Sequence, residues 1–345
     1  MNSRTRVIYI GYHAETLLLL YKERSFEVVT IGRIQEFLSD RTVNPINLLF
    51  KAIYALRCRN KYRTLESLLL RLWTITSGLS TSYYRRYSDY LKAISKHNTV
   101  IINIDNSQQT ADYLKSERID LMVVCAWEIL PAEMIAIPKY GTVNIHPSKL
   151  PQYRGALPTL WSLKNRDSES AVTYQLMKEA MDSGDIIGQH TFSITEADDW
   201  KSIEIKIDNI LQATLAADLK GYIDGRIMPV PQGELNRSTT GRYDEYRKID
   251  WVNEDGASVY NKVNLYPEIV PADYCYTFFN GRKIMFQSMS IIKEGSSLAT
   301  AGQFWVKGLT LFVKTKDVSV AGRLFSELNL NDSILFLLRR KGEFR

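Results

Sequence analysis

Apolar runs alternate with helix-compatible stretches at both ends of the first half of the chain. The run V-I-Y-I-G after Arg6 predicts a buried strand, a helix follows around 16–23, and 27–31 predicts a second strand. Val100–Ile104, a helix over Gln108–Ser116 and a strand over 120–125 repeat the rhythm, and 139–145 and 171–176 add further β runs. Nearly continuous apolar strands separated by helices predict a mainly parallel sheet covered on both faces, a Rossmann-like doubly wound α/β domain. Ligands in such sheets sit beyond the carboxyl ends of the strands.

Two stretches break the pattern. Within 33–97 the segments 45–56, 65–76 and 83–94 have helical spacing and are rich in Leu, Tyr and Arg, which predicts a helical insertion. It serves packing or dimerisation on one reading and caps a substrate on the other. Near 232–243 the chain turns polar (Q-G-E-L-N-R-S-T-T-G-R-Y), and short β-rich runs follow at 274–279, 283–288, 303–306 and 309–314. Short strands at regular spacing predict a small β-rich, OB-like domain. The expected division is therefore 1–240 and 241–345.

Composition narrows the class. The 345 residues are 45% hydrophobic and 24% charged, as in an ordinary globular protein, and a net charge of +6 suits a phosphate-bearing ligand without a long basic block for nucleic acid. Cys58, Cys125 and Cys275 are odd in number and far apart, so a reducing cytoplasm is expected rather than a disulfide framework. No secretory layout or membrane span is expected, because the most apolar later stretch contains Glu66 and Arg71. His13, His97, His146 and His190 lack metal-ligand spacing, Gly11 does not open a G-x-G-x-x-G loop, and no G-x-S-x-G elbow occurs. No metal is expected.

The informative segment is T-V-N-I-H-P-S-K-L-P-Q-Y-R-G-A-L-P, residues 142–158. Side chains two apart share a strand face, so Asn144 and His146 point the same way just before Pro147 ends the ladder. An amide donor stabilises charge developing on a carbonyl oxygen, and an imidazole accepts a proton from an attacking amine. Later, M-D-S-G-D-I-I puts Asp182 on a tight bend, where a carboxylate near His146 would favour the imidazolium.

In their order and spacing these two segments resemble the folate-dependent formyltransferase family, which includes methionyl-tRNA formyltransferase, glycinamide ribonucleotide transformylase and nucleotide-sugar N-formyltransferases. The resemblance is strong over about 100–200, weak over 5–31 and 245–315, and absent over 32–97. It implies Asn144, His146 and Asp182 as the catalytic set and 10-formyltetrahydrofolate as the formyl donor. It also implies Trp127, Glu128, Leu130, Ala180 and Met181 as cofactor contacts, with Lys149, Tyr153, Arg154 and Gly155 facing the substrate. Arg154 meets an acidic ligand group or holds its loop. Lys149 and Gln175 depart from the family pattern, which commonly has Leu and His there, and neither departure is expected to touch the triad. The segment 246–251 (Y-R-K-I-D-W) resembles the family's linker, and Trp251 is expected in a core. The favoured acceptor is a nucleotide-linked amino-deoxysugar for surface polysaccharide, with methionyl-tRNA the runner-up. A formyl-folate hydrolase and a non-catalytic folate binder rank lower, and a homodimer is a further expectation.

Overall fold

The computed structural model describes residues 4–11, 13–34, 97, 99–104, 107–125, 130–195, 197–233, 238–240, 246–265, 275–279, 282–292, 300–307, 310–324 and 341–343. The expected helical insertion falls almost wholly outside these residues, as do Trp127 and Glu128. The described residues divide into two compact units, one up to Thr240 and one after it.

The first unit is built from β1 (Thr5–Gly11), α1 (Ala14–Lys22), β2 (Phe26–Ile34), β3 (Val100–Ile104), α2 (Gln108–Ser116), β4 (Leu121–Cys125), α3 (Ala132–Ile135), β5 (Thr142–His146), α4 (Pro158–Lys164), β6 (Glu169–Leu176), β7 (Ile186–Ser193) and α5 (Trp200–Ile223). Its sheet order is β3-β2-β1-β4-β5-β6-β7. Strands β1 to β5 run parallel, whereas β6 pairs antiparallel with β5 and β7 pairs antiparallel with β6. The chain moves outward from β1 through β2 and β3, then returns to place β4 on the other side of β1. That reversal opens a crevice at the carboxyl edge. The expected doubly wound, mainly parallel sheet is therefore present, with an antiparallel edge.

The apolar runs become core strands because both of their faces are covered. Ile8, Ile10, Met122 and Val124 pack with Leu114, Ile119 and Ile135. The sequence pattern did not single out α5, the 24-residue helix. Its Ile203, Ile207, Leu211, Leu215 and Leu219 recur every four residues and form a buried stripe. Asp199 starts the helix in a reciprocal cap with Ser202.

Beside that cap, Asp198 accepts from Lys206 Nζ at 2.7 Å, Ser202 Oγ at 2.7 Å, and Thr195 N and Oγ1 at 2.8 and 2.9 Å. Burial acts to raise this carboxyl, but the donors from Lys206, Ser202 and Thr195 outweigh it and hold it well below the usual carboxylate range. A carboxyl depressed in the folded state contributes stability that is full above the unfolded value of about 4 and is lost as pH falls below it. Asp198→Asn is expected to melt earlier at neutral pH and to lose less further stability than wild type between roughly pH 4 and pH 2. Thermal melts across pH check this, and parallel acid limbs for the two proteins would contradict it.

The second unit contains α6 (Gly256–Asn264) and β8 (Tyr276–Phe279), β9 (Arg282–Ile292), β10 (Gln303–Lys307), β11 (Thr310–Lys314), β12 (Ser319–Leu324) and β13 (Lys341–Glu343). These strands form an antiparallel sheet in the order β13-β10-β11-β12-β9-β8. Along β11 burial alternates, with Leu311 and Val313 turned inward against Phe286, Phe304 and Val320. Trp251 is buried in this core, edge-on to Phe286, and its indole N–H donates to Thr277 Oγ1 at 3.0 Å.

Candidate active site

All five residues of β5 are buried. The strand pairs with β4 on one side and β6 on the other, with Asn144 opposite Gln175 and His146 opposite Thr173. Asn144 and His146 therefore share a face at the strand's carboxyl end, at only 7% and 4% exposure. The loop that follows is fastened to the sheet. Thr173 Oγ1 donates to Ser148 O at 2.6 Å, and Gln189 Nε2 donates to Leu150 O at 2.9 Å.

Asp182 reaches this face from the turn between β6 and β7. Its backbone is left-handed, at φ 46°, a conformation that Asp tolerates better than most residues. Two residues on, a Cβ at Gly184 would fall 1.4 Å from Leu176 O, so only glycine lets the turn close on the end of β6. The carboxylate then gathers donors from three directions. Oδ1 accepts from Asn144 Nδ2 at 3.1 Å and Gln175 Nε2 at 2.8 Å, while Oδ2 accepts from the Gly155 N–H at 2.8 Å.

His146 completes the set. Its Nε2 lies 2.9 Å from Tyr153 O. A carbonyl can only accept, so Nε2 carries the hydrogen. Its Nδ1, 3.7 Å from Asp182 Oδ1, is then the basic nitrogen of the neutral ring. Once Nδ1 is protonated, the carboxylate stands beside the charge.

The other expected contacts divide. Ala180 and Met181 are exposed on the rim of the Asp182 turn, Met181 at 57%. The Leu130 side chain packs in the hydrophobic core. The four residues expected to face substrate are engaged within the chain. Lys149 pairs with Glu169. Tyr153 donates its hydroxyl to Asp167 Oδ2 at 2.6 Å and accepts from Asn165 Nδ2 at 2.9 Å. Arg154 is buried against Gln232, and Gly155 gives its N–H to Asp182. The expectation that Gln175 leaves the triad untouched is corrected, because it donates directly to the Asp182 carboxylate. Its place opposite Asn144 is a consequence of antiparallel register, which the sequence does not display. Gln232 was missed altogether, since a lone Gln after a proline carries no chemical signature.

Burial pushes the Cys125 thiol up to about 12, with the carboxylates of Glu204 and Asp208 adding to the shift, which disfavours its thiolate. Among the described residues no group of three or more His, Cys, Asp or Glu could hold a metal ion. Among them, too, no helix is long and apolar enough to cross a membrane.

An amide, an imidazole and a carboxylate meeting at the carboxyl edge of a doubly wound sheet define a site suited to acyl transfer to an amine. The family described as "Formyl transferase" matches residues 85–217. Methionyl-tRNA formyltransferase of Ehrlichia ruminantium (strain Gardel) is 34% identical over 212 residues, spanning 59% of this chain and 67% of that protein. The chain belongs to the formyltransferase family. Among solved structures, a variant of HypX from Aquifex aeolicus aligns with a TM-score of 0.57 and 17% identity over 99% of this chain; the chain spans about half of HypX, 49%. WlaRD, a sugar 3N-formyl transferase, aligns with a TM-score of 0.54 and 16% identity over 95% of this chain and 100% of its own. At these identities the structural likeness is one of fold.

Proposed function

We propose that the chain transfers a formyl group from 10-formyltetrahydrofolate to a primary amine, with Asn144, His146 and Asp182 as the reacting set. The observation that carries this reading is the convergence of the three side chains from two separate segments. The donor set fits a formyl carbonyl. Asn144 uses one amide hydrogen on Asp182 Oδ1, leaving the other for the formyl oxygen. Ala180 and Met181 give the same turn an exposed edge for the cofactor ring.

In this reaction the donor supplies an electrophilic formyl carbon. The amine nitrogen attacks it, and Asn144 stabilises the oxyanion of the tetrahedral intermediate. Nδ1 of His146 takes the amine proton, with Asp182 balancing the imidazolium. The same proton is returned to the departing folate nitrogen as its bond to carbon breaks. A formamide and tetrahydrofolate result, with no net change in protons.

For the acceptor, the amino group of methionyl-tRNA is the first reading, because Ehrlichia methionyl-tRNA formyltransferase is 34% identical over 212 residues. A nucleotide-linked amino-deoxysugar is the second, favoured by the likeness to WlaRD over nearly the whole chain. This reverses the order in which sequence reasoning placed them. The deciding measurement offers labelled 10-formyltetrahydrofolate with methionine-charged initiator tRNA, or with dTDP-linked 3-amino and 4-amino deoxysugars. Label on the tRNA is expected. Label on a sugar alone would move the assignment to the second reading, and release of formate without any amine would make the protein a hydrolase.

A further inference from the structure

Arg154 is a full charge in a buried place, at 6% exposure. Among the described residues its guanidinium meets no carboxylate. Instead Nε and Nη2 both donate to one neutral atom, Gln232 Oε1, at 3.0 and 2.7 Å. Arginine cannot shed its proton to escape burial, so a counter-charge has to be sought further along the network.

Gln232 Nε2 brings two hydrogens to three acceptors, one hydrogen being shared: Asp182 O at 2.9 Å, Gly184 O at 2.7 Å and Gln175 Oε1 at 3.1 Å. Gln175 Oε1 also accepts from the Gly184 N–H at 3.1 Å, and Gln175 Nε2 donates to Asp182 Oδ1 at 2.8 Å. Neither amide can be reversed. A flipped Gln232 would turn its NH2 to the guanidinium and its oxygen to two carbonyls, and a flipped Gln175 would oppose its oxygen to a carboxylate. Two amide dipoles therefore stand head to tail, oxygen toward the cation and N–H toward the anion. In a low-dielectric setting each polarises the next.

We propose that Arg154, Gln232 and Gln175 are positioning residues that act through Asp182, forming with it a partly buried ion pair bridged by two side-chain amides. The bridge holds Oδ1 where it faces Asn144 and His146. Backbone geometry joins the same parts. Tyr153 O receives His146 Nε2, and the Gly155 N–H holds Asp182 Oδ2, so the residues flanking Arg154 grip both partners. This loop is itself laid against 238–240: Tyr153 N donates to Ser238 Oγ and Arg154 N to Ser238 O, each at 3.0 Å, and Thr240 N donates to Arg154 O at 2.8 Å. Gln232 and Ser238 both lie beyond residue 217, where the family match ends. Five polar contacts occupy the Gln232 amide at both ends, which makes it a support rather than a ligand contact.

The proposal rests on the catalytic reading of Asp182. Its test measures kcat and both KM values for wild type, Gln232→Leu, Gln175→Met, Asp182→Ala and the double variant Gln232→Leu/Asp182→Ala. The donor is 10-formyltetrahydrofolate, and the amine is methionyl-tRNA or the dTDP amino sugar, whichever turns over. Hydrogen bonds to charged groups imply a fall in kcat of about ten- to a hundred-fold for Gln232→Leu and for Gln175→Met, with both KM values nearly unchanged. Gln175→Met keeps the length of the side chain, adds no charge and removes the donor to Asp182, so it serves where Gln232→Leu does not fold. In the Asp182→Ala background, Gln232→Leu is expected to add no further loss. Undiminished kcat in the folded single variants, or losses that multiply in the double variant, would overturn the bridge while leaving the catalytic reading intact. A wild-type protein that formylates neither amine would remove the catalytic reading, and the bridge with it.

Discussion

Asn144→Ala is expected to lower kcat by roughly a hundred- to a thousand-fold, the usual loss when one oxyanion donor is removed. The expectation follows from the placement of the side chain. Asn144 is buried on a central strand, and its amide is oriented by Asp182 Oδ1 at 3.1 Å. That contact takes one hydrogen and aims the other at whatever occupies the face shared with His146. Because the second hydrogen gains most when the carbonyl oxygen becomes anionic, the loss belongs in kcat more than in KM. The fold should persist, since alanine keeps the backbone pairing with Val124 and Gln175. Steady-state kinetics with circular dichroism as a control checks this. A folded variant with near-normal turnover would remove Asn144 from the chemistry.

Asp182→Asn is expected to reduce turnover by about a hundred- to ten-thousand-fold, the range attached to a positioned proton-transfer group, and to destabilise the protein as well. The carboxylate accepts on both oxygens, from Asn144 and Gln175 on one and from Gly155 on the other. An asparagine keeps the outline but turns one oxygen into a donor. In its better orientation the new NH2 opposes the Gly155 N–H, leaving that donor without its acceptor at a cost of about 1–3 kcal/mol. The imidazolium formed at His146 Nδ1 also loses its counter-charge. Denaturant titration and kcat separate the two effects. Lost stability with retained turnover would reduce Asp182 to a structural role.

Some of this architecture is written in local pattern. The strands of the first unit are apolar runs such as L-M-V-V-C over Leu121–Cys125, and burial on both faces demands that composition. The pairing of Asn144 with His146 needs only the two-residue period of a strand. The long helix α5 escaped notice because Lys, Glu and Asp interrupt its apolar positions. Its four-residue stripe becomes meaningful only once a sheet lies beneath it.

What the chain determines alone is whatever depends on neighbours in sequence: the strand–helix alternation, the shared face of Asn144 and His146, and the tight bend at Asp182. The tertiary structure decides which distant groups meet. Antiparallel register sets Gln175 against Asn144, and the return of the chain after α5 brings Gln232 to Arg154 across 78 positions. Tyr153 O fixes which nitrogen of His146 carries hydrogen. The physical reason is that side-chain amides and buried charges gain their roles from desolvation and from partners far away in the chain, and neither is encoded by the identity of the residues beside them.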